Sequence, residues 1–318
     1  MTINNREQLL RDRAARALGN HQVADAVAKV RAIIGPANIP DSEPLAQSAL
    51  DKLHNGESPT VDELTALEIV VRLLRPVVLS RGGELTDLPD QGVHNLYPPE
   101  LKDKWNAFRA LVKPLLPSIG RIETKAGKHV GTGFLVADGL LATNRHVLGA
   151  LTFGAEVLAP AAARIVFKQE VDATNSPADI VAIDGVAVIH PTLDMVLLNV
   201  AKLGRPAVEM DAAAITETAE VATIGFPGKD PVNNPLFLSG VFGNDFGVKR
   251  AALGEVLDGS AAPALFHDCS TTQGNSGSPI FALASGKVAG IHRAGYFMYR
   301  NEAVDARSLR DFVNSARS

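Results

Sequence analysis

The chain has 318 residues but one cysteine, Cys269, so it can form no disulfide within itself and cannot hold zinc in a cysteine cluster. Its formal net charge is −4, which leaves no basic surplus for a phosphate backbone and argues against nucleic acid as a partner. No stretch approaches the roughly 18 consecutive apolar residues of a membrane span, so no membrane partner is expected either. The opening "MTINNREQLLRDRAARALGNH" scatters charges where a secretory signal needs an apolar run, and this predicts a cytoplasmic protein. Apolar residues, in contrast, are plentiful. They make up 46% of the chain against 21% charged, enough for a sizeable core, and the length suits two domains better than one.

The two halves follow different periods. Residues 1–115 read as helical, with Leu10, Ala14 and Leu18, then Val23 and Val27, recurring at helical spacing. "SPTVDELTALEIVVRLLR" opens with Thr60 and Glu63 in capping-box register, places Leu64, Leu67 and Val71 on one face, and stops before Pro76. "YPPELKDKWNAFRALVKPLL" starts on prolines and carries Trp105, Phe108 and Val112 on one side. Residues 80–93, with "RGGELTDLPDQG", read as a loop between these helices. Residues 116–318 change pattern. "RIET", "GTGFLVA", "LLATN", "RIVFK", "DIVAIDGVAVI", "DMVLLNV", "VATIGF", "PIFAL" and "KVAGIH" are short, rich in Val and Ile, and bounded by turn formers. No long helices alternate with them, which disfavours parallel α/β and predicts an antiparallel barrel or sandwich. "DARSLRDFVNSARS" reads as a closing helix.

Three chemically distinct residues follow one another through this second half. His146, in "LLATNRHV", comes just after a strand; on its own it would be a surface or capping residue. Asp194, in "HPTLDMVLL", is by default a strand-end residue, but buried beside His146 it would fix the imidazole tautomer and stabilise the imidazolium. Asp179 and Asp184 are rivals that fit polar hairpin positions better. Ser276 lies in "TTQGNSGSPIF", crowded by glycines. A serine hydroxyl becomes a nucleophile only when a base takes its proton, and the resulting oxyanion needs backbone N–H donors already aimed at it. The amides of Gly274 and Ser276 are placed to supply them. Other reactive types have plainer readings: Cys269 as packing, His190 as a turn residue, and Lys249 with Arg250 as a solvated pair.

With "GTGFLV", "LLATNRHV", "HPTLDMVLL", "ATIGFPG", "STTQGNSGSPIF", "VAGIHRAG" and "NEAV" in chain order, residues 119–313 resemble the trypsin-like, two-barrel serine peptidases, most of all the bacterial glutamyl endopeptidases. The resemblance implies an α+β multidomain chain. An all-α domain, residues 1–115, would precede an all-β, chymotrypsin-like double six-stranded antiparallel barrel with a C-terminal helix, residues 116–318. It also implies a serine endopeptidase acting on proteins or peptides, without metal or other cofactor. His146 would be the general base, Asp194 its orienting partner, Ser276 the nucleophile, and Gly274 with Ser276 the oxyanion donors. Where trypsins carry the Asp that binds Lys or Arg, this chain has Ser270, so tryptic specificity is not implied. Thr271 and His292 match the family positions that hold an acidic side chain before the scissile bond, and Arg293, where relatives have an aromatic, would add positive charge. The helical half is left with three readings: a pro-domain, a recruitment module with its own protein partner, or a buttress for the barrel. A catalytically silent barrel that binds peptides beside a helical interaction domain is the alternative function.

Overall fold

Four helices open the chain: α1 (Ile3–Leu18), α2 (Val23–Ile34), α3 (Ser42–His54) and α4 (Val61–Leu73). The structure, a computed structural model, describes residues 3–18, 23–34, 42–88, 99–231, 235–296 and 300–317. The apolar faces expected from spacing meet in one cluster that includes Leu10, Ala14, Leu18, Val23, Val27, Leu64, Leu67 and Val71. α4 begins with the capping box read from the sequence: the Thr60 hydroxyl accepts from the Glu63 amide at 3.3 Å, and the Glu63 carboxylate accepts from the Thr60 amide at 2.7 Å.

The segment after Pro76 corrects the sequence reading. Part of the expected loop is a hairpin, β1 (Val77–Arg81) and β2 (Glu84–Leu85). Local sequence is turn-rich here, but β1 finds a distant antiparallel partner, with Val77 opposite Ala252 and Leu79 opposite Arg250. Residues 89–93 of that loop lie outside the described residues. α5 (Pro99–Val112) follows, its first described residue a proline whose missing N–H costs nothing in the first turn.

Two closed barrels come next. The first joins β3 (Ile119–Thr124), β4 (His129–Ala137), β5 (Leu140–Thr143), β6 (Ala163–Val166), β7 (Ile180–Ile189) and β8 (Val196–Val200) in the order β3-β4-β5-β8-β7-β6, with α6 (Arg145–Thr152) leaving the end of β5. The second uses β9 (Glu220–Gly225), β10 (Arg250–Asp258), β11 (Ala264–His267), β12 (Pro279–Ala282), β13 (Val288–Tyr296) and β14 (Arg300–Asp305), with α7 (Pro235–Phe242) between β9 and β10. Its order is β11-β14-β13-β12-β9-β10, closed by β10 pairing with β11, and β1 and β2 extend it beyond β10. α8 (Ala306–Arg317) closes the chain. The architecture is the chymotrypsin-like double six-stranded antiparallel barrel preceded by helices, as expected.

The seam between the barrels is the largest core. Phe134, Met195 and Leu197 of the first barrel meet Ile224, Phe226 and Phe281 of the second, and α8 adds Leu309 and Phe312. α5 packs into this same seam through Trp105, Phe108 and Val112, whereas the helical cluster ends at Val71. Packing therefore changes hands near residue 75, and α5 shares its core with the barrels. Burying a Phe of this kind contributes roughly 2–3 kcal/mol.

Candidate active site

His146 and Asp194 meet because strand register brings two loop ends together. Thr143, the last residue of β5, pairs with Val196, the first of β8, so the residues just beyond face each other. Asn144 Nδ2 donates to the Asp194 carbonyl at 2.9 Å. His146, in the first turn of α6, donates its backbone N–H to Asp194 Oδ1 at 3.0 Å, and its Nδ1 lies 2.7 Å from Oδ2. An ionised carboxylate only accepts, so Nδ1 carries the proton and Nε2 is left as the basic nitrogen. Burial alone would raise the Asp194 carboxyl, but the His146 ring and backbone N–H, with Arg293, hold it below its usual range. Asp179 and Asp184 do not enter the site: Asp179 caps a turn at Ser176, and Asp184 is exposed on β7.

The serine is the second residue of the latter of two successive turns. Asn275 N donates to Thr272 O at 3.1 Å and Ser278 N to Asn275 O at 2.9 Å. The third residue of each turn is glycine at positive φ, Gly274 at 97° and Gly277 at 85°. Turns of this form need that geometry, which a side chain would strain. At Gly277 space is short as well, since a Cβ would fall 2.2 Å from Thr132 O. The loop is pinned to the first barrel: Thr132 N donates to Ser276 O at 2.8 Å and Thr132 Oγ1 to Gly274 O at 2.8 Å. Gly131 completes the juxtaposition. A Cβ there would lie 2.8 Å from Val147, next in chain to His146, and 3.0 Å from Ser276 O. The helix bearing His146 and the turn bearing Ser276 thus approach β4 where it has no side chain. Among the described residues the Ser276 hydroxyl makes no hydrogen bond to His146, and the Gly274 and Ser276 amides donate to no protein acceptor.

Beside the serine, the expected pocket residues fall into one wall. Ser270 is 4% exposed, and its hydroxyl has no hydrogen-bond partner among the described residues. The Thr271 hydroxyl donates to Asn301 Oδ1 at 3.1 Å, and Asn301 Nδ2 donates to Cys269 O at 2.5 Å. His292 is buried, with Nδ1 3.1 Å from Nε2 of an equally buried His267. Burial keeps both rings neutral, His267 being pushed down to about 3. Arg293 stands apart from this wall. It pairs with Glu302 at 2.6 Å and, with His146, Thr192, Leu193 and Asp194, lines an open groove of about 370 Å³.

Two functional neighbours escaped the sequence reading. Asn301 lies in "RNEAV", a motif noticed for its resemblance but given no role. His129, in "KHVGTGF", stands directly behind the candidate oxyanion glycine: a Cβ on Gly274 would fall 2.4 Å from its Cε1. Burial, with Arg121 nearby, lowers His129 to about 4. One expectation is corrected. Lys249 and Arg250 are not a solvated pair, being 1% and 5% exposed. Lys249 Nζ donates to the carbonyls of Leu116 at 2.6 Å and Phe167 at 2.7 Å, a buried tie at the seam whose pKa burial lowers to about 7. Cys269 is fully buried, its thiol pushed up to about 12, in keeping with packing.

Comparison with known proteins bears on this arrangement. No curated protein matches the sequence. Two solved structures of the Rv3671c protease, both inactive forms, match the fold. One, from M. tuberculosis H37Rv and carrying a serine-to-alanine substitution, is 17% identical over 69% of this chain and 93% of its own, with a TM-score of 0.46. The other is 18% identical over 70% of this chain and 97% of its own, with a TM-score of 0.47. The family model for the trypsin-like peptidase domain matches residues 131–291, half of the sequence, from Gly131 through the turns around Ser276 into β13. The chain therefore belongs to the trypsin-like peptidase domain family.

Proposed function

We propose that this peptidase works by a serine mechanism, with His146, Asp194 and Ser276 as its triad. The observation that carries the reading is the pair of hydrogen bonds from His146 to Asp194, through ring Nδ1 and backbone N–H, which leaves Nε2 as the free ring nitrogen on the helix facing the serine turns across Gly131. The Ser276 hydroxyl attacks the scissile carbonyl as His146 Nε2 takes its proton. The amides of Gly274 and Ser276 stabilise the oxyanion, and His146 returns the proton to the leaving amine. Water, deprotonated by the same nitrogen, then hydrolyses the acyl-enzyme. A fluorophosphonate probe tests this directly. Wild type is expected to be labelled at Ser276 and Ser276→Ala not at all; equal labelling of the two would remove the serine mechanism.

For specificity we propose an acidic side chain before the scissile bond, held by neutral donors. If His267 Nε2–H donates to His292 Nδ1, only a lone pair on His267 Nδ1 goes unmet; the reverse order would strand a buried N–H, which is rarer. The favoured order puts the His292 proton on Nε2, and Ser270 adds an unengaged hydroxyl. Thr271, engaged with Asn301, shapes the wall. A peptide-library profile led by Leu, Phe or Lys before the cut would overturn this preference. For the helices we favour the buttress reading, because Arg13, Arg16 and Arg75 pair with buried carboxylates of the second barrel.

A further inference from the structure

Asp268 is a fully buried carboxylate eight residues before the candidate nucleophile, at the joint where β11 passes into the pocket wall. Its chain neighbour on one side is His267, the partner of His292; on the other it leads through Cys269 to Ser270 and Thr271. The segment has no slack against β10. A Cβ on Gly254 would fall 2.6 Å from both Asp268 Oδ1 and Cys269 N, and the Glu255 amide donates to Oδ1 at 2.6 Å.

The cations that compensate this carboxylate come from far away in sequence. Arg13 of α1, itself 2% exposed, donates Nε to Asp268 Oδ2 at 3.0 Å and turns its two terminal nitrogens onto Glu68 of α4 at 2.8 and 3.0 Å. Arg72 shares Glu68 at 2.8 Å. Arg75 lies 3.2 Å from Asp268 Oδ2 and 3.0 Å from Glu255, and Arg16 of α1 grips Glu255 through both carboxylate oxygens. Across the contact the barrel contributes the carboxylates Asp268 and Glu255 and the helical side the arginines Arg13, Arg16 and Arg75, while Glu68 of α4 shares Arg13 with Asp268. Burial would raise the Asp268 carboxyl, but Arg75, Arg13 and the Glu255 amide hold it near 2. Guanidinium forks fix both distance and angle, so they locate the segment as well as neutralise it.

We infer that Arg13, assisted by Arg75, is a positioning residue for the substrate pocket: through Asp268 it sets the 267–271 wall, and the helical unit is thereby a built-in part of substrate recognition. Among the described residues this unit does not line the groove beside the candidate base. This inference rests on the serine-peptidase reading.

The test uses the full-length chain carrying Arg13→Met, Asp268→Asn or both, and reads three quantities: peptide KM and kcat, the rate at which a small fluorophosphonate labels Ser276, and thermal melting. Arg13→Met is expected to raise the peptide KM by about tenfold or more, with kcat and labelling rate within about threefold of wild type. The double variant should be no worse than the weaker-binding single variant, because both changes act through one contact. Arg13→Lys keeps charge but loses the fork, and should raise KM by about threefold. An unchanged KM in a cooperatively melting Arg13→Met protein overturns the inference, as does labelling that falls in proportion to kcat/KM. If Arg13→Met does not fold, Arg13→Lys decides alone, and an unchanged KM there overturns it. Failure of wild type to take the probe would overturn the peptidase reading itself, and this inference with it.

Discussion

The two barrels have the same strand count and lean on the N-terminal half to different degrees. The first is filled by its own apolar side chains, among them Ile122, Leu135, Leu141, Leu148, Ile165, Ile183, Val196 and Leu198. Its buried Glu123 is matched within the barrel by Arg121 and Arg164, while Glu170, in the loop after β6, accepts from the Ser80 hydroxyl and the Gly83 amide of the N-terminal half. The second buries His267, Asp268, Glu255, His292 and Asn301, and Asp268 and Glu255 rely on arginines before residue 76. It also takes a strand from that half, with Leu253 N bonded to Pro76 O and Ser80 N to Lys249 O. The proposed acid–base pair sits on the less dependent barrel; the proposed nucleophile and pocket sit on the more dependent one. Chemistry and recognition should therefore respond to different perturbations.

The largest expected effect isolates the first barrel. Asp194→Asn keeps the shape but donates where it should accept, so the His146 proton moves to the nitrogen needed as base. On the proposed mechanism kcat should fall by about 10⁴, some 5.5 kcal/mol of barrier, with little change in melting temperature. Steady-state kinetics beside a thermal melt checks this, and a loss below tenfold would remove Asp194 from the triad.

The next effect isolates the second barrel. Asp268→Ala leaves Arg13 and Arg75 facing a buried gap, and breaking such a pair costs about 3–5 kcal/mol. That corresponds to a melting temperature lowered on the order of 10 °C. Calorimetry decides the matter: a shift below about 2 °C would mean the second barrel holds that carboxylate's surroundings without the arginines.

Acid should weaken the second barrel as well. In the unfolded chain His267 and His292 bind protons near pH 6.5, whereas folded they stay neutral, His267 down to about 3. Between those values the unfolded state binds more protons, so stability rises with pH and is lost as pH falls from 6.5. At pH 5.5 each buried ring costs about 1.4 kcal/mol, or about 3 kcal/mol for the pair. Denaturant titrations at pH 7.5 and 5.5 measure the total, to which the buried His129, lowered to about 4, adds a similar amount, so His267→Gln should remove about a third of it.

The same contrast explains what could be read from the sequence. The first barrel's strands, His146 and Asp194 were legible because local pattern and structure agree: apolar strands bounded by turns, polar residues at their ends. β10 was not, because "RAALGEVLD" is Ala-rich, broken by Gly254 and carries Glu255 inward; it is a strand only once Arg16 and Arg75 compensate that charge. β1 was missed for a related reason, its pairing partner lying some 170 residues away in the chain. Thr271 and His292 could be placed by motif, but their partners Asn301 and His267 could not, since contacts between strands leave no spacing signal.

The smallest effect sharpens the comparison by touching the helical unit away from its arginines. Thr60→Ala removes one half of the α4 capping box while Glu63 keeps its bonds to Ser48 and Lys52. Caps of this kind contribute about 1 kcal/mol, so the melting temperature should drop by only a few degrees. Glu68 and Arg72 lie further along the same helix and stay in place, so peptide KM and kcat should match wild type within error. A clear rise in KM would show that the pocket senses the stability of the whole helical unit, and that the arginine contacts have no special part in setting it.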